Sequence, residues 1–163
     1  MYTCRDCLSA GTRKPTVEPG PLSEGEIAYC AGMLDGEGSI MLLSQRWLQV
    51  RIFSTYRPML EWLQQRLGGV VCIGHRPQKA NHKQGYFWVV SMKPAAPVLR
   101  LLLPWLQIKR RHAEVALEFV ARLAEVKAEQ RDDGTRRQAV ADLRLSQLAE
   151  TLTALNRKGP PVA

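Results

Sequence analysis

The chain has 163 residues, of which 45% are hydrophobic, and a formal net charge of +8 at pH 7. This length and apolar content suffice for one hydrophobic core, so we expect a single domain with flanking segments. No run of eighteen apolar residues occurs and no secretory signal begins the chain, so composition argues against a membrane span and favours an intracellular protein.

Four cysteines stand at positions 4, 7, 30 and 72, which is too few and too scattered for a disulfide scaffold. Cys4 and Cys7 form a CxxC pair, for which histidines elsewhere in the chain could complete a zinc site. The pair has no second CxxC and no closely spaced histidine pair beside it. A reduced tail is therefore favoured over a zinc site.

The positive charge is concentrated in the middle of the chain. Residues 39–112 contain 12 Lys/Arg and 1 Asp/Glu, a net charge of +11, whereas residues 1–38 contain 3 and 6 and residues 113–163 contain 8 of each. Such a concentration is typical of a surface that binds phosphate groups, with a solvated basic face as the simpler alternative.

The first predicted element is a helix. Residues 1–22 are rich in proline near their end and lack periodicity, so we interpret them as a tail or linker. Ser23 and Glu26 form a capping box, which predicts a helix start at Ser23. The helix is expected to run to about Asp35, where two glycines of the following sequence end it.

Two strand pairs with a helix between them follow. SIMLLS and WLQVRIFS predict two strands joined by a tight turn near Gln45 and Arg46. Apolar residues with helical spacing in residues 59–67 predict a helix that stops at Gly68 and Gly69. VVCIGHR and GYFWVVSM predict a second strand pair, separated by the polar loop PQKANHKQ.

The remainder of the chain reads as helix from Pro94 onward, with a break near residues 104–108. We assign residues 23–163 to one domain, with a core at 23–130 and a C-terminal helix at 136–157. The element order α-β-β-α-β-β-α, followed by two longer helices, needs no parallel crossover. It predicts an α+β fold with an antiparallel sheet.

Alternation along the first strand pair divides its residues between two faces. Leu48, Val50 and Ile52 form an apolar set, and the opposite set mixes polar, basic and large apolar side chains. Gln and Arg can read adenine and guanine edges in the major groove, although an ordinary wet sheet face is the alternative. The residues predicted to bind nucleic acid from this face and its loops are Ser39, Met41, Gln45, Arg46, Trp47, Gln49, Arg51, Arg76, Lys79 and Lys83. The sequence does not decide which face of the sheet Tyr86 and Trp88 occupy.

The stretch CAGMLDGEG, residues 30–38, resembles the LAGLIDADG motif of homing endonucleases. Cys30 takes the place of the first Leu, and DGEG, residues 35–38, fills the acidic end. The later stretch LLPWLQIKRRHAEVAL resembles the P-x-L-x-x-K-x-x-x-A segment of the family. The similarity covers roughly residues 23–125. It implies the αββαββα LAGLIDADG fold, with a saddle-shaped antiparallel sheet and, here, additional C-terminal helices.

Small residues on the first helix suggest that another helix approaches it. Ala28, Gly32 and Gly36 recur every four residues, with Ala31 beside them. In the family two such helices pack together at the centre of the molecule, and this chain contains one copy of the motif. The resemblance therefore implies a homodimer, with Ala28, Ala31, Gly32 and Asp35 at its interface. The two-fold symmetry implies a palindromic or nearly palindromic double-stranded DNA target.

The resemblance also assigns the acids to a metal site. Carboxylates are unfavourable at the negative end of a helix unless a cation is present. Glu37 is implied to bind Mg²⁺ together with the Gly36 carbonyl, with Mn²⁺ or Ca²⁺ able to substitute for binding. Asp35, placed in the catalytic group, is implied to be a capping or supporting acid. The family favours Asp where this chain has Glu37, a longer side chain of the same chemistry.

The lysine of the later segment completes the implied catalytic set. Lys109 matches the family's lysine that stabilises charge at the scissile phosphate, and Arg110 and Arg111 are expected to contact the DNA backbone. The implied activity is site-specific, metal-dependent hydrolysis of both DNA strands, promoting intron or intein-type mobility. A non-cleaving DNA-binding regulator and a maturase that binds intron RNA are the alternatives. The expected location is the cytoplasm of a bacterium or phage host rather than an organelle.

Overall fold

The computed structural model describes residues 21–44, 46–74, 83–133 and 142–157. The predictions for the N-terminal tail, for the Cys4 and Cys7 pair and for the loop at residues 75–82 lie outside the described residues. Its elements are α1 (Glu24–Glu37), β1 (Gly38–Leu43), β2 (Trp47–Ser54), α2 (Arg57–Leu67), β3 (Val70–Ile73), β4 (Tyr86–Ser91), α3 (Ala95–Leu102), a short 3-10 helix (Leu103–Trp105), α4 (Arg110–Asp133) and α5 (Leu143–Leu155). The predicted element order and the α+β class are confirmed.

Helix α1 begins at the predicted capping box and ends later than predicted. The Glu26 amide donates to Ser23 Oγ (3.3 Å), and the Ser23 amide donates to Glu26 Oε2 (2.9 Å). Gly36 continues the helix, which ends at Glu37, and the Gly38 amide donates to the Leu34 carbonyl. A Cβ at Gly38 would lie 2.5 Å from that carbonyl oxygen. Glycine is therefore required where α1 turns directly into β1.

The four strands form one antiparallel sheet in the order β1-β2-β4-β3. Its register places Ile40 opposite Val50, Val50 opposite Val90, and Val71 opposite Trp88. Ile40, Val50 and Trp88 are fully buried in the core formed with the helices. The predicted division of the first strand pair into two faces is confirmed.

Trp88 lies in the hydrophobic core, so it occupies the sheet face that the helices cover. Its indole Nε1 donates to the carbonyl of Gly68 (2.8 Å), so the polar atom of a fully buried ring has a partner. Gly68 and Gly69, which end α2, have φ angles of 71° and 81°. Tyr86 lies two residues before Trp88 on β4 and therefore shares its face.

Helices α4 and α5 complete the same core. Leu148 and Leu152 of α5 are buried, and Asn156 Nδ2 donates to the carbonyl of Ile40 in β1 (2.9 Å). Helix α5 begins at Leu143, because Asp142 is an extended N-cap residue, and not at residue 136. The assignment of residues 23–163 to one domain stays a prediction. Among the described residues, no helix combines the length and apolarity needed to cross a membrane.

Asp142 gives the C-terminal helix pair a pH-dependent contact. Its Oδ1 accepts from the Leu145 amide (2.9 Å) and its Oδ2 from Arg122 Nη2 (2.7 Å). The Arg122 guanidinium, followed by the Leu145 amide, holds the pKa of the Asp142 carboxyl below its ordinary value. A lowered folded-state pKa stabilises the protein above the unfolded-state pKa of about 4, and the contribution disappears as the pH falls through the folded-state value.

We therefore expect Asp142→Asn to lower the melting temperature at pH 7, and the difference from wild type to shrink as the pH falls below about 4. Thermal denaturation, monitored by circular dichroism at each pH, measures the melting temperatures of the variant and of wild type. Glu150→Gln, an exposed carboxylate on the same helix, is the matched control and should change little. A difference for Asp142→Asn that is equal at pH 7 and at low pH would contradict this account.

Candidate active site and nucleic-acid interface

The site begins where the end of α1 meets the chain that leads into α4. Asp35 Oδ2 accepts hydrogen bonds from the amides of Gln107 (2.7 Å) and Ile108 (3.2 Å), and Oδ1 accepts from the amide of Lys109 (2.8 Å). Three successive backbone donors thus converge on one carboxylate. Asp35 thus binds the amide of Lys109, the residue directly before α4, and the two amides that precede it.

Lys109 makes the reverse contact. Its Nζ donates to the Asp35 carbonyl oxygen, one of the carbonyls that a helix C-terminus leaves without an intrahelical partner. The negative end of α1 therefore receives an ammonium group, and the positive end of α4 receives a carboxylate. Both charges have the sign that stabilises a helix dipole.

The electrostatics of Asp35 reflect these donors. Partial burial raises the pKa of its carboxyl, but the amides of Gln107, Lys109 and Ile108 and the charge of Lys109 together outweigh that effect. The pKa of Asp35 therefore lies below its ordinary value. The group is ionised at neutral pH, as a cap for backbone N–H donors requires.

Glu37 lies two residues beyond Asp35, at the last position of α1. Its side chain is exposed, and within the described residues it makes no hydrogen bond or ion pair. Oxygen donors at a negative helix end suit a hard divalent cation, so Glu37 and the Gly36 carbonyl fit such a group. In the described part of the chain, no three His, Cys, Asp or Glu side chains gather into a metal site.

The two sides of α1 differ in what they contact. Cys30, Ala31 and Leu34 are fully buried in the core of the subunit. A Cβ added at Gly32 or Gly36 would meet nothing within 4 Å. The opposite side of this apolar helix is thus open within the subunit.

Two of the residues predicted at a subunit interface are engaged within the subunit instead. The prediction is wrong for Ala31, because its side chain is fully enclosed by the core and has no surface left for a partner. The carboxylate of Asp35 is held by residues 107–109 of its own chain. Gly32 is exposed and Ala28 half-buried, so both stay candidates. Tyr29, 54% exposed on α1, is a further large apolar candidate that the spacing of small residues did not single out.

Arg51 lies near the middle of the sheet face that the helices do not cover. It sits on β2 between Ser39 of β1 and Val89 of β4. Its Nε donates to Ser39 Oγ (3.1 Å), and its guanidinium carbon lies 5.2 Å from the centre of the Phe87 ring. Burial lowers the pKa of Arg51, which nonetheless stays charged as arginines do. The side chain is oriented before any ligand binds.

The other predicted binding residues are distributed over the same face and its edges. Ser39, Met41 and Gln49 are half-buried on neighbouring strands, and Gln49 Nε2 lies 3.5 Å from Ser91 Oγ. Trp47 begins β2 and is 46% exposed. The remaining described members, Arg46 and Lys83, are exposed outside the strands, and Gln45, Arg76 and Lys79 lie outside the described residues.

Arg110 and Arg111 begin α4 and have local partners. Arg110 donates from Nε to the Leu106 carbonyl (3.2 Å) and from Nη2 to the Pro104 carbonyl (2.9 Å). Arg111 Nη1 pairs with Glu114 (3.2 Å). Their contact with a DNA backbone stays a prediction.

Sequence reasoning missed two contributors to the site. Phe87, which supports Arg51, is packed against Phe53 with ring centres 5.1 Å apart, and alternation placing Trp88 inward would have placed Phe87 outward. The amides of Gln107 and Ile108 gave no signal, because any residue except proline supplies a backbone donor.

Three solved structures similar to this chain are homing endonucleases, whereas no protein-family model and no curated protein matches the chain. I-CvuI, in complex with the I-CreI target C1221 in 2 mM Mg with the DNA not cleaved, is 20% identical, with a TM-score of 0.62 over 86% of this chain and 87% of that one. The same enzyme with its target Sro1.3 in 2 mM Ca is 20% identical, with a TM-score of 0.56 over 84% and 85%. The archaeal intron-encoded I-Vdi141I, complexed with DNA, is 22% identical, with a TM-score of 0.61 over 84% and 87%. The chain therefore has the fold of the LAGLIDADG homing endonucleases.

Proposed function

We propose that the protein is a site-specific DNA endonuclease that acts as a homodimer and requires a divalent cation, with Mg²⁺ as the working ion. The observation that carries the proposal is the arrangement at the end of α1. There an unpartnered Glu37 stands two residues from the contact that fixes Lys109, within the part of the chain that the structure describes. The neighbours I-CvuI and I-Vdi141I, which are homing endonucleases solved with DNA, support the same reaction class.

The sheet face centred on Arg51 is the proposed surface for double-stranded DNA. Residues 39–112, which include every strand except the first residue of β1, carry the net charge of +11. Positive charge provides affinity for phosphates, and oriented side chains on strands can reach base edges in the major groove. Among the described strands, Arg51 is the one basic residue, so we propose that the strands supply base contacts and that phosphate contacts come mainly from basic residues outside them.

The proposed reaction uses two kinds of charged group. Glu37 and the Gly36 carbonyl would hold the cation, and the missing ligands would come from the second subunit and from DNA phosphate oxygens. A cation bound there would activate water for attack on phosphorus and stabilise the leaving oxygen. Lys109 would stabilise the additional negative charge on the phosphate, once its ammonium moves from the Asp35 carbonyl to the phosphate oxygen.

Dimerisation through α1 would bring the two Glu37 residues together. The exposed side of α1 has no internal packing that needs glycine at positions 32 and 36, whereas a second helix at close range would need it. A two-fold dimer reads two half-sites related by the same symmetry. We therefore propose a palindromic or nearly palindromic target, with intron or intein-type mobility as the biological outcome.

The deciding experiment is cleavage of the uninterrupted host allele by the purified wild-type protein in Mg²⁺. Double-strand cleavage at one site is expected. Specific DNA binding without cleavage would instead favour the regulator, and preferred binding of the host intron RNA would favour the maturase.

Glu37→Gln is expected to reduce cleavage by orders of magnitude, because the amide keeps the size of the side chain but removes the charge that holds the cation. DNA affinity in Ca²⁺ should be unchanged or slightly higher, since a negative group near phosphates has been removed. Plasmid cleavage and gel-shift titration measure the two effects. Glu24→Gln, an exposed carboxylate in the first turn of the same helix, is the control. Normal cleavage by Glu37→Gln would place the active site elsewhere.

Gly32→Leu is expected to separate the two subunits while leaving each subunit folded, because the new side chain meets open space within the chain. Sedimentation velocity should show a shift to monomer, and cleavage should be lost with it. Ala124→Leu introduces the same side chain on α4, away from the proposed interface, and should leave the dimer intact. A Gly32→Leu protein that stays dimeric and active would refute the proposed interface.

Arg51→Ala is expected to relax specificity at one base pair of each half-site, costing about 1–3 kcal/mol of discrimination, because its orientation by Ser39 and Phe87 suits a base edge. The salt dependence of affinity should change little. If Arg51 instead contacts a phosphate, its loss should reduce the slope of log affinity against log salt concentration by about one unit without changing specificity. Binding to a library of single-base variants at several salt concentrations separates these outcomes. Lys127→Ala, on the charge-balanced part of α4, is the control.

A further inference from the structure

We infer that Asp35 is a positioning residue for the proposed cleavage reaction. Its carboxylate binds the backbone of residues 107–109 and so holds Lys109 at the end of α1 that carries Glu37. The catalytic consequence depends on the proposed function. The contact itself depends on geometry alone, so the two can be tested separately.

The start of α4 is held from outside the helix, through the residues that directly precede it. Lys109 directly precedes the helix, and its carbonyl accepts the hydrogen bond from the Ala113 amide that starts it. A lysine side chain has no acceptor atom, so it cannot bind the free amides of the first turn as Ser, Thr, Asp or Asn do. Asp35 supplies an acceptor just outside this end, where the three amides preceding the helix point at its carboxylate.

Both oxygens of the Asp35 carboxylate are used in this contact. Oδ2 accepts two amide hydrogens and Oδ1 accepts the third. Direct binding of a cation by Asp35 would have to displace these donors. The geometry therefore assigns Asp35 to holding the loop and leaves cation binding to Glu37.

The two contacts between Asp35 and Lys109 run in opposite directions. The carboxylate accepts from the Lys109 amide, and the Lys109 ammonium donates to the Asp35 carbonyl. Glu37 lies about 3 Å further along the helix axis, given the rise of about 1.5 Å per residue. A movement of residues 107–109 would thus change the position of the ammonium relative to Glu37. A misplacement of about 1 Å can cost about a hundredfold in rate.

The first test compares Asp35→Asn with Asp142→Asn, since both carboxylates accept backbone amide hydrogens near the start of a helix and Asp142 precedes α5, away from the site. The asparagine side chain keeps one acceptor oxygen and cannot bind three donors as the carboxylate does. We expect single-turnover cleavage to fall between about tenfold and a hundredfold in Asp35→Asn, with unchanged DNA affinity in Ca²⁺ and unchanged Mg²⁺ dependence. Asp142→Asn should lower thermal stability and leave the rate unchanged. A normal rate in Asp35→Asn, or a shifted Mg²⁺ dependence, would overturn the inference.

The second test is a double-mutant cycle with Lys109→Met. If Asp35 acts through Lys109, removing the carboxylate should add little to the loss already caused by Lys109→Met. Losses that multiply would show that Asp35 acts by another route and would overturn the inference.

The third test detects the contact between Asp35 and residues 107–109 without measuring cleavage. Amide hydrogen exchange at residues 107–109 should be faster in Asp35→Asn by about tenfold or more and unchanged in Asp142→Asn. Asp35→Glu keeps two acceptor oxygens on a longer side chain. It should therefore retain more amide protection and a higher cleavage rate than Asp35→Asn. It also serves as the test variant if Asp35→Asn does not fold. Unchanged exchange would refute the contact. If wild-type protein cleaves no DNA although the amides are protected, the proposed function fails and the contact stands.

Discussion

The end of α1 and the start of α4 hold each other through opposite charges. Asp35 supplies an acceptor to the amides of residues 107–109, directly before α4, and Lys109 supplies a cation to the end of α1, which has no basic residue in its last turn. Charge–dipole contacts of this kind contribute about 0.3–1 kcal/mol each at exposed sites. Their main consequence is geometric, because they connect residues 72–74 positions apart and place two charged groups of the proposed reaction on adjoining helix ends.

Glycine occurs within α1 and directly after it for two different physical reasons. Gly38 is required by the subunit itself, because a Cβ there would lie 2.5 Å from the Leu34 carbonyl oxygen where the helix turns into β1. Gly32 and Gly36 face open space, and glycine in a helix costs about 0.5–1 kcal/mol relative to alanine. Nothing in the described part of the subunit offsets that cost. A second helix packed closely against this side would do so, which makes the composition of α1 an argument for assembly.

Local sequence signals predicted the fold well. The site was harder to predict, because it is formed by contacts between residues far apart in the sequence. The Ser23 capping box and the alternation of Leu48, Val50 and Ile52 act over a few residues, so their consequences can be derived from sequence. Ala31 was misassigned because α1 is apolar on both sides, and periodicity alone cannot tell which side meets the core. The three amides bound by Asp35 carry no side-chain signal and become neighbours only when the chain folds.

The basic residues of the middle segment differ in what they are free to do. Arg110 and Arg111 use donors on nearby carbonyls and on Glu114, so part of the +11 charge supports the structure around the start of α4. Arg51 binds Ser39 through Nε, and Phe87 supports the guanidinium plane. Its terminal nitrogens can therefore form the paired hydrogen bonds that a guanine edge accepts. Net charge consequently predicts that the surface attracts DNA, whereas the hydrogen bonds of each arginine indicate which one can read it.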